Sequence, residues 1–304
     1  MLLNEEQTMV RDMARRFAQE RLKPFAAEWD RTKTFPRDRI AEMGELGLMG
    51  MLVPEEYDGS KTDYIAYALA IEEIAAGDGA LSTVMSVHNS VGCGPILAFG
   101  SEEQKQRFLK PMARGEWLGA FCLTEPHTGS DASAIRTRAR KDGNRYILSG
   151  TKQFITSGKN ADVAIVFAVT DPDAGKRGIS AFIVPTSTPG FRVASLENKL
   201  GQNLSDTAQI VFEDMELTPD LLLGEEGQGY RIALANLEGG RVGIAAQSVG
   251  MARAALDAAL AYAQDRETFG VKLMEHQAVA FRLAYMATKI EVARQMVLHA
   301  ALLR

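Results

Sequence analysis

The sequence predicts an α+β protein with an N-terminal α-helical domain, a central β-barrel or β-sandwich domain and a C-terminal helical bundle domain. Apolar residues recur at helical spacing up to about residue 115. Alternating β-rich segments separated by turn residues continue to about residue 222, after which the helical period returns. A length of 304 residues is enough for two or three domains. We therefore expect domains at residues 1–115, 116–222 and 223–304.

The first region has the pattern of several helices. Val10, Met13 and Phe17 form an apolar stripe at spacings of three and four residues. Asn4 is a plausible N-terminal cap because Gln7 follows at the spacing of a capping box. Further helices are predicted in the segments PRDRIAEMGELGLMG, DYIAYALAIEEIAAGDG and SEEQKQRFLKPMARG.

The middle region has β-type alternation from about Trp117 onward and is interrupted by turn pairs such as Asp142–Gly143.

Beyond the middle region, two long helices are predicted over Tyr230–Ala263 and Glu275–Arg304. Helices of this length need partners for their apolar faces. Because the second helix has neither a glycine cap nor a proline stop, we expect the C-terminal bundle to be truncated at Arg304.

The composition excludes several classes of protein. A net charge of −5 without any basic run argues against a nucleic-acid partner. The start, MLLNEEQTMV, lacks a secretory signal, and the most apolar window, residues 79–100, is too polar to span a membrane. We therefore expect a cytoplasmic protein with no membrane partner. The two cysteines and four widely separated histidines form neither a disulfide framework nor a metal-ligand pattern, so no metal is expected.

The segment CLTEPHTGSDAS is rich in reactive side chains. Glu125, His127 and Ser130 suggest the triad of a serine hydrolase, but Ser130 lies in TGSDA rather than in a G-x-S-x-G motif. A loop through proline and Gly129 can instead direct backbone N–H groups towards an anionic or planar polar cofactor. The hydroxyls of Thr124 and Ser130 would add short donors. Taken alone, the same loop is more typical of a polar surface turn.

A second segment, KQFITSGKNAD, places Phe154 two residues before Thr156. On a strand these side chains point to the same face, where an aromatic wall beside a hydroxyl suits the face and edge of a flavin. Taken alone, Phe154 is better explained by a place in the core.

Two further segments suggest phosphate or carboxylate recognition. In DRETFGVKLMEHQ, Arg266 lies at a break between helices and could bind a pyrophosphate through its fork of donors. In LEGGRVG, Gly239 and Gly240 lie inside a long helical segment, which indicates a kink or the close approach of another group. Arg241 beside them could meet a phosphate or a carboxylate. In isolation, each arginine is better explained as a solvated side chain.

Taken together and in this order, CLTEPHTGSD, KQFITSG, EGQGY, GGR and DRETFG…HQ resemble the conserved segments of the acyl-CoA dehydrogenase family over essentially the whole chain. The motif LEGGR and Phe154 are similar to members that act on short branched substrates of the isobutyryl-CoA type. The resemblance implies FAD-dependent α,β-dehydrogenation of a short-chain or branched short-chain acyl-CoA. It also implies transfer of electrons to an electron-transfer flavoprotein and a homo-oligomer built as a dimer of dimers.

The resemblance further implies the residues of the site. The cofactor-binding residues on the flavin side would be Phe121, Cys122, Leu123, Thr124, Gly129, Ser130, Phe154, Ile155 and Thr156. The adenine side of FAD would be held from a neighbouring subunit, and the residues concerned are Arg266, Thr268, Phe269, His276 and Gln277. The acyl-CoA substrate would contact Ser130, Glu238, Gly239, Gly240 and Arg241.

The catalytic base is the main departure from the family pattern. Family members carry this glutamate in a later C-terminal segment or, in a minority, on the preceding helix, where Gly240 stands here. We therefore expect the base beyond Arg304. If residues 1–304 were the whole polypeptide, we would expect weak FAD binding and no dehydrogenation. The alternatives are a flavin-dependent oxidase or monooxygenase of the same fold, or a non-catalytic relative that binds flavin or acyl-CoA if no base follows.

Overall fold

The computed structural model describes residues 2–304 and confirms the predicted order of helices, strands and helices. The chain divides into two compact units. The first unit contains the chain up to Ala27, Tyr64–Thr83 and Val242–Arg304. The second unit contains Glu28–Asp63 and Val84–Arg241.

Residues 2–304 form ten α-helices, which single π-helical turns extend at Ala18–Leu22, His88–Cys93 and Lys105–Leu109. The α-helices are α1 (Glu5–Phe17), α2 (Lys23–Thr32), α3 (Arg37–Glu45), α4 (Tyr64–Gly77), α5 (Gly79–Val87), α6 (Gly94–Phe99), α7 (Glu102–Gln104), α8 (Lys110–Ala113), α9 (Gly229–Asp265) and α10 (Gln277–Leu302). The strands are β1 (Gly119–Cys122), β2 (Arg138–Asp142), β3 (Arg145–Thr156), β4 (Val163–Val169), β5 (Ile179–Pro185), β6 (Phe191–Leu196), β7 (Thr207–Leu217), β8 (Leu222–Leu223), β9 (Glu267–Thr268) and β10 (Val271–Lys272).

Helix α1 begins as the sequence predicts. The side chain of Asn4 accepts a hydrogen bond from the backbone N–H of Gln7 at 2.8 Å, and the Gln7 side chain accepts one from the Asn4 N–H at 3.1 Å. This reciprocal pair satisfies two donors that the helix end would otherwise leave unpaired. Val10 and Phe17 of the predicted stripe are buried, and Met13 is half-buried.

An ion-pair network in the first unit crosses α4. Glu73 accepts from both Arg15 and Arg253, with shortest distances of 2.8 and 2.6 Å, and its side chain is 1% exposed. Burial alone would raise the pKa of Glu73, but the hydrogen bonds and charges of Arg253 and Arg15 outweigh it and lower the pKa. For the neighbouring Glu72, burial outweighs the charges of Arg294 and Arg253, so its pKa is raised. The two adjacent carboxylates therefore differ in their readiness to ionise.

The π-helical turn His88–Cys93 carries three buried polar side chains of the second unit, those of His88, Asn89 and Ser90. The amide of Asn89 donates to the carbonyls of Leu48 and Met85, and its oxygen accepts from the N–H of Met51 at 2.9 Å. Because every polar atom of this amide has a partner, its burial leaves no desolvated group unpaired.

The core of the second unit surrounds one eight-stranded sheet. Seven of its strands follow the order β6-β7-β3-β2-β4-β5-β8, and the eighth, β1, pairs in parallel with β4. The central strands β4 and β5 are apolar on both faces, with six of seven residues buried in each, because both faces are covered. Strand β1 therefore delivers its carboxyl end, and the segment CLTEPHTGSD that follows, next to the middle of the sheet.

The helices α9 and α10 confirm the two long helical segments. Helix α9 runs without interruption through Gly239 and Gly240. Aromatic side chains of α10 such as Phe281 and Tyr285 are 68% and 60% exposed. Within residues 2–304, no helix is long and apolar enough to cross a membrane.

Candidate functional site

The loop after β1 is closed by one buried carboxylate. Glu125 accepts the backbone N–H groups of Arg136 and Thr137 at 2.7 and 2.9 Å, and it also accepts from Lys152 at 2.8 Å. Burial would raise the pKa of Glu125, but the charge and hydrogen bond of Lys152 outweigh it and lower the pKa. Glu125 is therefore an ionised structural anchor that holds both ends of the loop together, rather than a free acid or base.

The hydroxyl groups of this region fall into two classes. Thr128 donates to the carbonyl of Asp131, and Ser133 donates to the Asp131 carboxylate at 2.6 Å, so these hydroxyls stabilise the loop itself. The hydroxyls of Thr124, Ser130 and Thr156 make no hydrogen bond within residues 2–304. These three are the hydroxyls that the sequence predicts to face a cofactor.

Phe154 lies at a bulge in β3. The register with β7 shifts between Lys152 and Ile155, and Phe154 has a φ of 58°, a left-handed conformation that is unfavourable for a bulky residue. The bulge turns the aromatic ring outward, so Phe154 is 60% exposed. A place in the core is therefore the wrong explanation for Phe154.

A backbone hydrogen bond joins the two predicted flavin-binding segments. The N–H of Gln153 donates to the carbonyl of Thr124 at 2.9 Å, which fixes the residue before Phe154 against the loop after β1. A side chain added at Gly129 would not clash, because its Cβ would meet only the methyl of Thr124 at 3.7 Å. The geometry thus places an exposed ring, unpaired hydroxyls and open space in one region, which fits a planar polar cofactor.

His127 has a structural partner. Its Nε2 lies 3.0 Å from the carbonyl of Ala134 and 3.8 Å from a carboxylate oxygen of Glu125. Within residues 2–304 the Ser130 hydroxyl makes no hydrogen bond to His127 or to any other group. The nucleophile–base contact that a hydrolase triad requires is therefore missing from this arrangement.

The predicted residues at the end of β1 and directly after it, Phe121, Cys122 and Leu123, offer no reactive side chain. Cys122 is fully buried, and burial raises the pKa of its thiol to about 12. Phe121 packs edge-on against Phe167, with ring centroids 4.9 Å apart, and Leu123 is buried. A thiol that is protonated at neutral pH cannot serve as a nucleophile.

Four of the five predicted substrate-binding residues, residues 238–241, lie on α9, whereas Ser130 lies in the loop after β1. Gly240 allows close approach, because a Cβ at this position would lie 3.2 Å from the hydroxyl oxygen of Ser90. The sequence predicts either a kink or the close approach of another group at the paired glycines. Close approach is the correct explanation at Gly240, because α9 continues through this position without interruption. Glu238 and Arg241 are exposed on the same helix.

The remaining predicted cofactor residues lie together in the first unit. The predicted helix break is a hairpin in which β9 pairs with β10 through a turn at Phe269–Gly270, both with positive φ. Phe269 is 97% exposed, and His276 Nε2 lies 3.1 Å from the hydroxyl of Thr268. Arg266 and Gln277 are exposed, and the Arg266 guanidinium has no ion pair among the described residues.

The sequence prediction missed Lys152 and Gln153. Lys152 is the central residue of GTKQF and is 0% exposed, while Gln153 donates to Glu197 and accepts from Gln209 at 2.6 Å. No local signal marks Lys152 as buried, because its neighbours Thr151 and Gln153 are both polar.

Three sequence profiles of one family match the chain consecutively: the N-terminal domain of acyl-CoA dehydrogenase over residues 4–116, the middle domain over 120–215 and the C-terminal domain over 227–304. The chain belongs to the acyl-CoA dehydrogenase family and is thus an oxidoreductase of a flavoprotein family.

Individual relatives agree with this assignment. An acyl-CoA dehydrogenase of Bacillus subtilis is 49% identical over 301 residues, which are 99% of this chain and 79% of that protein. The mitochondrial short-chain specific acyl-CoA dehydrogenase of Bos taurus is 47% identical over 302 residues, 99% of this chain and 73% of that protein.

Solved structures give the same result. A chain from a study of the electron transferring flavoprotein of Acidaminococcus fermentans superposes with a TM-score of 0.98 and 48% identity, over 100% of this chain and 80% of that one. Butyryl-CoA dehydrogenase from Megasphaera elsdenii superposes with a TM-score of 0.96 and 41% identity, over 99% of this chain and 80% of that one. A glutaryl-CoA dehydrogenase from Mycobacterium smegmatis in complex with FADH2 superposes with a TM-score of 0.93 and 36% identity, over 99% of this chain and 76% of that one.

Proposed function

We propose that this protein binds FAD and uses it to dehydrogenate a short-chain acyl-CoA between its α and β carbons. One observation carries the proposal. The hydroxyls of Thr124, Ser130 and Thr156, which the family resemblance assigns to cofactor binding, make no hydrogen bond within residues 2–304, and the ring of Phe154, two residues before Thr156, is exposed.

The residues that would hold the flavin have distinct roles. Thr124 and the backbone of the loop after β1 donate to its polar pyrimidine edge, Phe154 covers one face and Thr156 donates near its reactive nitrogen. Ser130 reaches towards the cofactor phosphates or the substrate. Arg266 of a neighbouring subunit binds the pyrophosphate, and Thr268, Phe269, His276 and Gln277 complete the adenine side.

The bound flavin would supply the oxidising chemistry by accepting the hydride from the β carbon. The protein must position the thioester and acidify its α carbon by polarising the carbonyl with fixed hydrogen-bond donors. Glu238, Gly239, Gly240 and Arg241 line the acyl-CoA channel in this proposal. The α proton would pass to a carboxylate base, and Gly240 cannot be that base because it has no side chain.

Short acyl chains are the proposed substrates, and the relatives support this, since two of them are named short-chain specific acyl-CoA dehydrogenase and butyryl-CoA dehydrogenase. The motif LEGGR and Phe154 add a short branched chain of the isobutyryl-CoA type as an alternative. Electrons are proposed to pass to an electron-transfer flavoprotein, as the Acidaminococcus structure suggests by likeness. We propose a homo-oligomer, since Arg266 would serve a neighbouring subunit's cofactor.

The test is a panel of straight and branched acyl-CoAs assayed with a dye acceptor, on the polypeptide as its gene encodes it and reconstituted with FAD. We expect turnover with butyryl-CoA or isobutyryl-CoA and weak activity with long chains. Rapid oxygen consumption without dye would indicate an oxidase instead. FAD binding without turnover on any acyl-CoA would indicate the non-catalytic relative.

A further inference from the structure

An ion pair beneath the loop after β1 joins two side chains that are both buried. Lys152 Nζ lies 2.8 Å from a carboxylate oxygen of Glu125, and the two side chains are 0% and 2% exposed. The same ammonium also donates to the carbonyl of Leu123 at 3.0 Å. The Glu125 carboxylate also accepts hydrogen bonds from the backbone N–H groups of Arg136 and Thr137. Both charges are therefore held by several hydrogen bonds.

The position of this pair is specific. Glu125 directly follows Thr124, and Lys152 lies two residues before Phe154, so each partner belongs to one of the two proposed flavin-binding segments. The backbone bond from Gln153 to Thr124, at 2.9 Å, lies between them. The pair thus determines how far the loop after β1 stands from the bulge of β3.

Stability alone does not account for a buried ion pair. Removing two charges from water carries a large desolvation penalty, and well-packed apolar residues of similar volume are often as stabilising or more so. The strained φ of Phe154, 58°, also requires surroundings that hold the bulge in place. An ion pair is directional, whereas an apolar contact at the same place would allow the two segments to slide.

We propose that Lys152 and Glu125 are positioning residues that fix the spacing between the Thr124 hydroxyl and the Phe154 ring, and thereby the fit and electronic environment of the flavin. This inference rests on the proposed FAD-dependent function. Neither side chain touches the cofactor in this scheme, since both are buried behind the segments that do.

The experiment compares four variants with the wild-type gene product. Lys152→Met removes the ammonium and keeps most of its stem, Glu125→Gln keeps the shape of the carboxylate, and a double variant carries both changes. The control, Met215→Ala, opens a cavity at a fully buried residue of β7 that pairs with Leu148, away from both segments. FAD affinity of the apoprotein, the shape of the visible flavin band, the flavin midpoint potential and the melting temperature are measured for each.

A positioning role predicts that Lys152→Met weakens FAD binding by about tenfold and changes the flavin band and potential. The double variant should recover part of the affinity, because it leaves no uncompensated buried charge. Met215→Ala should lower the melting temperature while leaving the band and potential unchanged. If Lys152→Met does not fold, the FAD affinity, flavin band and potential of Glu125→Gln are compared with those of Met215→Ala, and that comparison tests the positioning role.

Three outcomes overturn the inference. Wild-type band, potential and affinity in both single variants would remove the positioning role while leaving the proposed function intact, and so would equal spectral changes in Met215→Ala. Absence of FAD binding by the wild type itself would instead overturn the proposed function on which the inference rests.

Discussion

The buried imidazole of His88 accepts a hydrogen bond through Nδ1 from the backbone N–H of Gly119, the first residue of β1, at 3.0 Å. Its Nε2 lies 3.0 Å from the carbonyl of Met112, so this nitrogen carries the proton and the ring is neutral. Burial, the main cause, lowers the pKa of His88 from 6.5 to about 4. A protonated ring would lose the bond to Gly119, because Nδ1 could no longer accept.

The first prediction concerns stability in acid. Because the folded pKa of His88 lies below its ordinary value, the unfolded chain binds more protons between pH 6.5 and about 4. The wild type should therefore lose roughly 3 kcal/mol of unfolding free energy as pH falls through this window. Urea unfolding of His88→Gln over the same window should show a smaller loss. The exposed His299→Gln variant is the control, and an equal pH dependence in wild type and His88→Gln would contradict the prediction.

The second prediction concerns the ion-pair network of the first unit. Glu73→Gln should lower the free energy of unfolding by roughly 2–3 kcal/mol at pH 7, because it leaves two arginines without their shared carboxylate. The Glu73 pKa lies below its ordinary 4.5, so this stabilisation is present above pH 4.5 and is lost as pH falls further. Asp12→Asn, which removes an exposed partner of Arg11, should change stability by less than about 0.5 kcal/mol. A loss no larger in Glu73→Gln than in this control would refute the account.

The third prediction compares two glycines of α9. Alanine normally stabilises a helix by about 1 kcal/mol relative to glycine. At Gly240 the new Cβ would meet the Ser90 hydroxyl at 3.2 Å, so Gly240→Ala should be nearly neutral and should become stabilising in a Ser90→Ala background. At Gly250 it would meet the backbone carbonyl of Glu72 at 2.2 Å, and Gly250→Ala should cost more than about 2 kcal/mol. Thermal or urea unfolding measures the stability of all four variants. Equal changes in unfolding free energy for Gly240→Ala and Gly250→Ala would contradict the contacts described for these two glycines.

The fourth prediction separates strain from cofactor contact at Phe154. Phe154→Gly should change the stability of the apoprotein by less than about 1 kcal/mol, because relief of the left-handed φ offsets the lost contacts. The same variant should weaken FAD binding by about tenfold, since it removes the aromatic face. Lys61→Gly, at another exposed residue with positive φ, should leave FAD affinity unchanged. Unaltered FAD affinity in Phe154→Gly would remove Phe154 from the site.

Features that depend on local spacing could be predicted from the sequence. The capping box of Asn4 and Gln7 requires only a few consecutive residues, and the structure confirms it. The order of helices, strands and helices follows from periodicity in the same way. The assignment of Thr124 and Ser130 to a cofactor site depends on the family resemblance, because the loop alone is more typical of a surface turn.

Features that depend on partners distant in sequence could not be predicted. Lys152 is buried only because Glu125, 27 residues away, neutralises it, and no local pattern identifies such a pair. The exposure of Phe154 results from a bulge in the pairing of β3 with β7, which alternation along β3 does not reveal. His88 likewise gains its role from Gly119 and Met112, which lie 31 and 24 residues along the chain.

The most direct test of the central claim is an anaerobic titration of the FAD-reconstituted gene product with butyryl-CoA, followed by its visible spectrum. FAD-dependent dehydrogenation predicts that the flavin band bleaches within seconds and that one equivalent of the 2-enoyl-CoA forms. A stable oxidised spectrum with butyryl-CoA and with isobutyryl-CoA, in a protein that binds FAD, would contradict it.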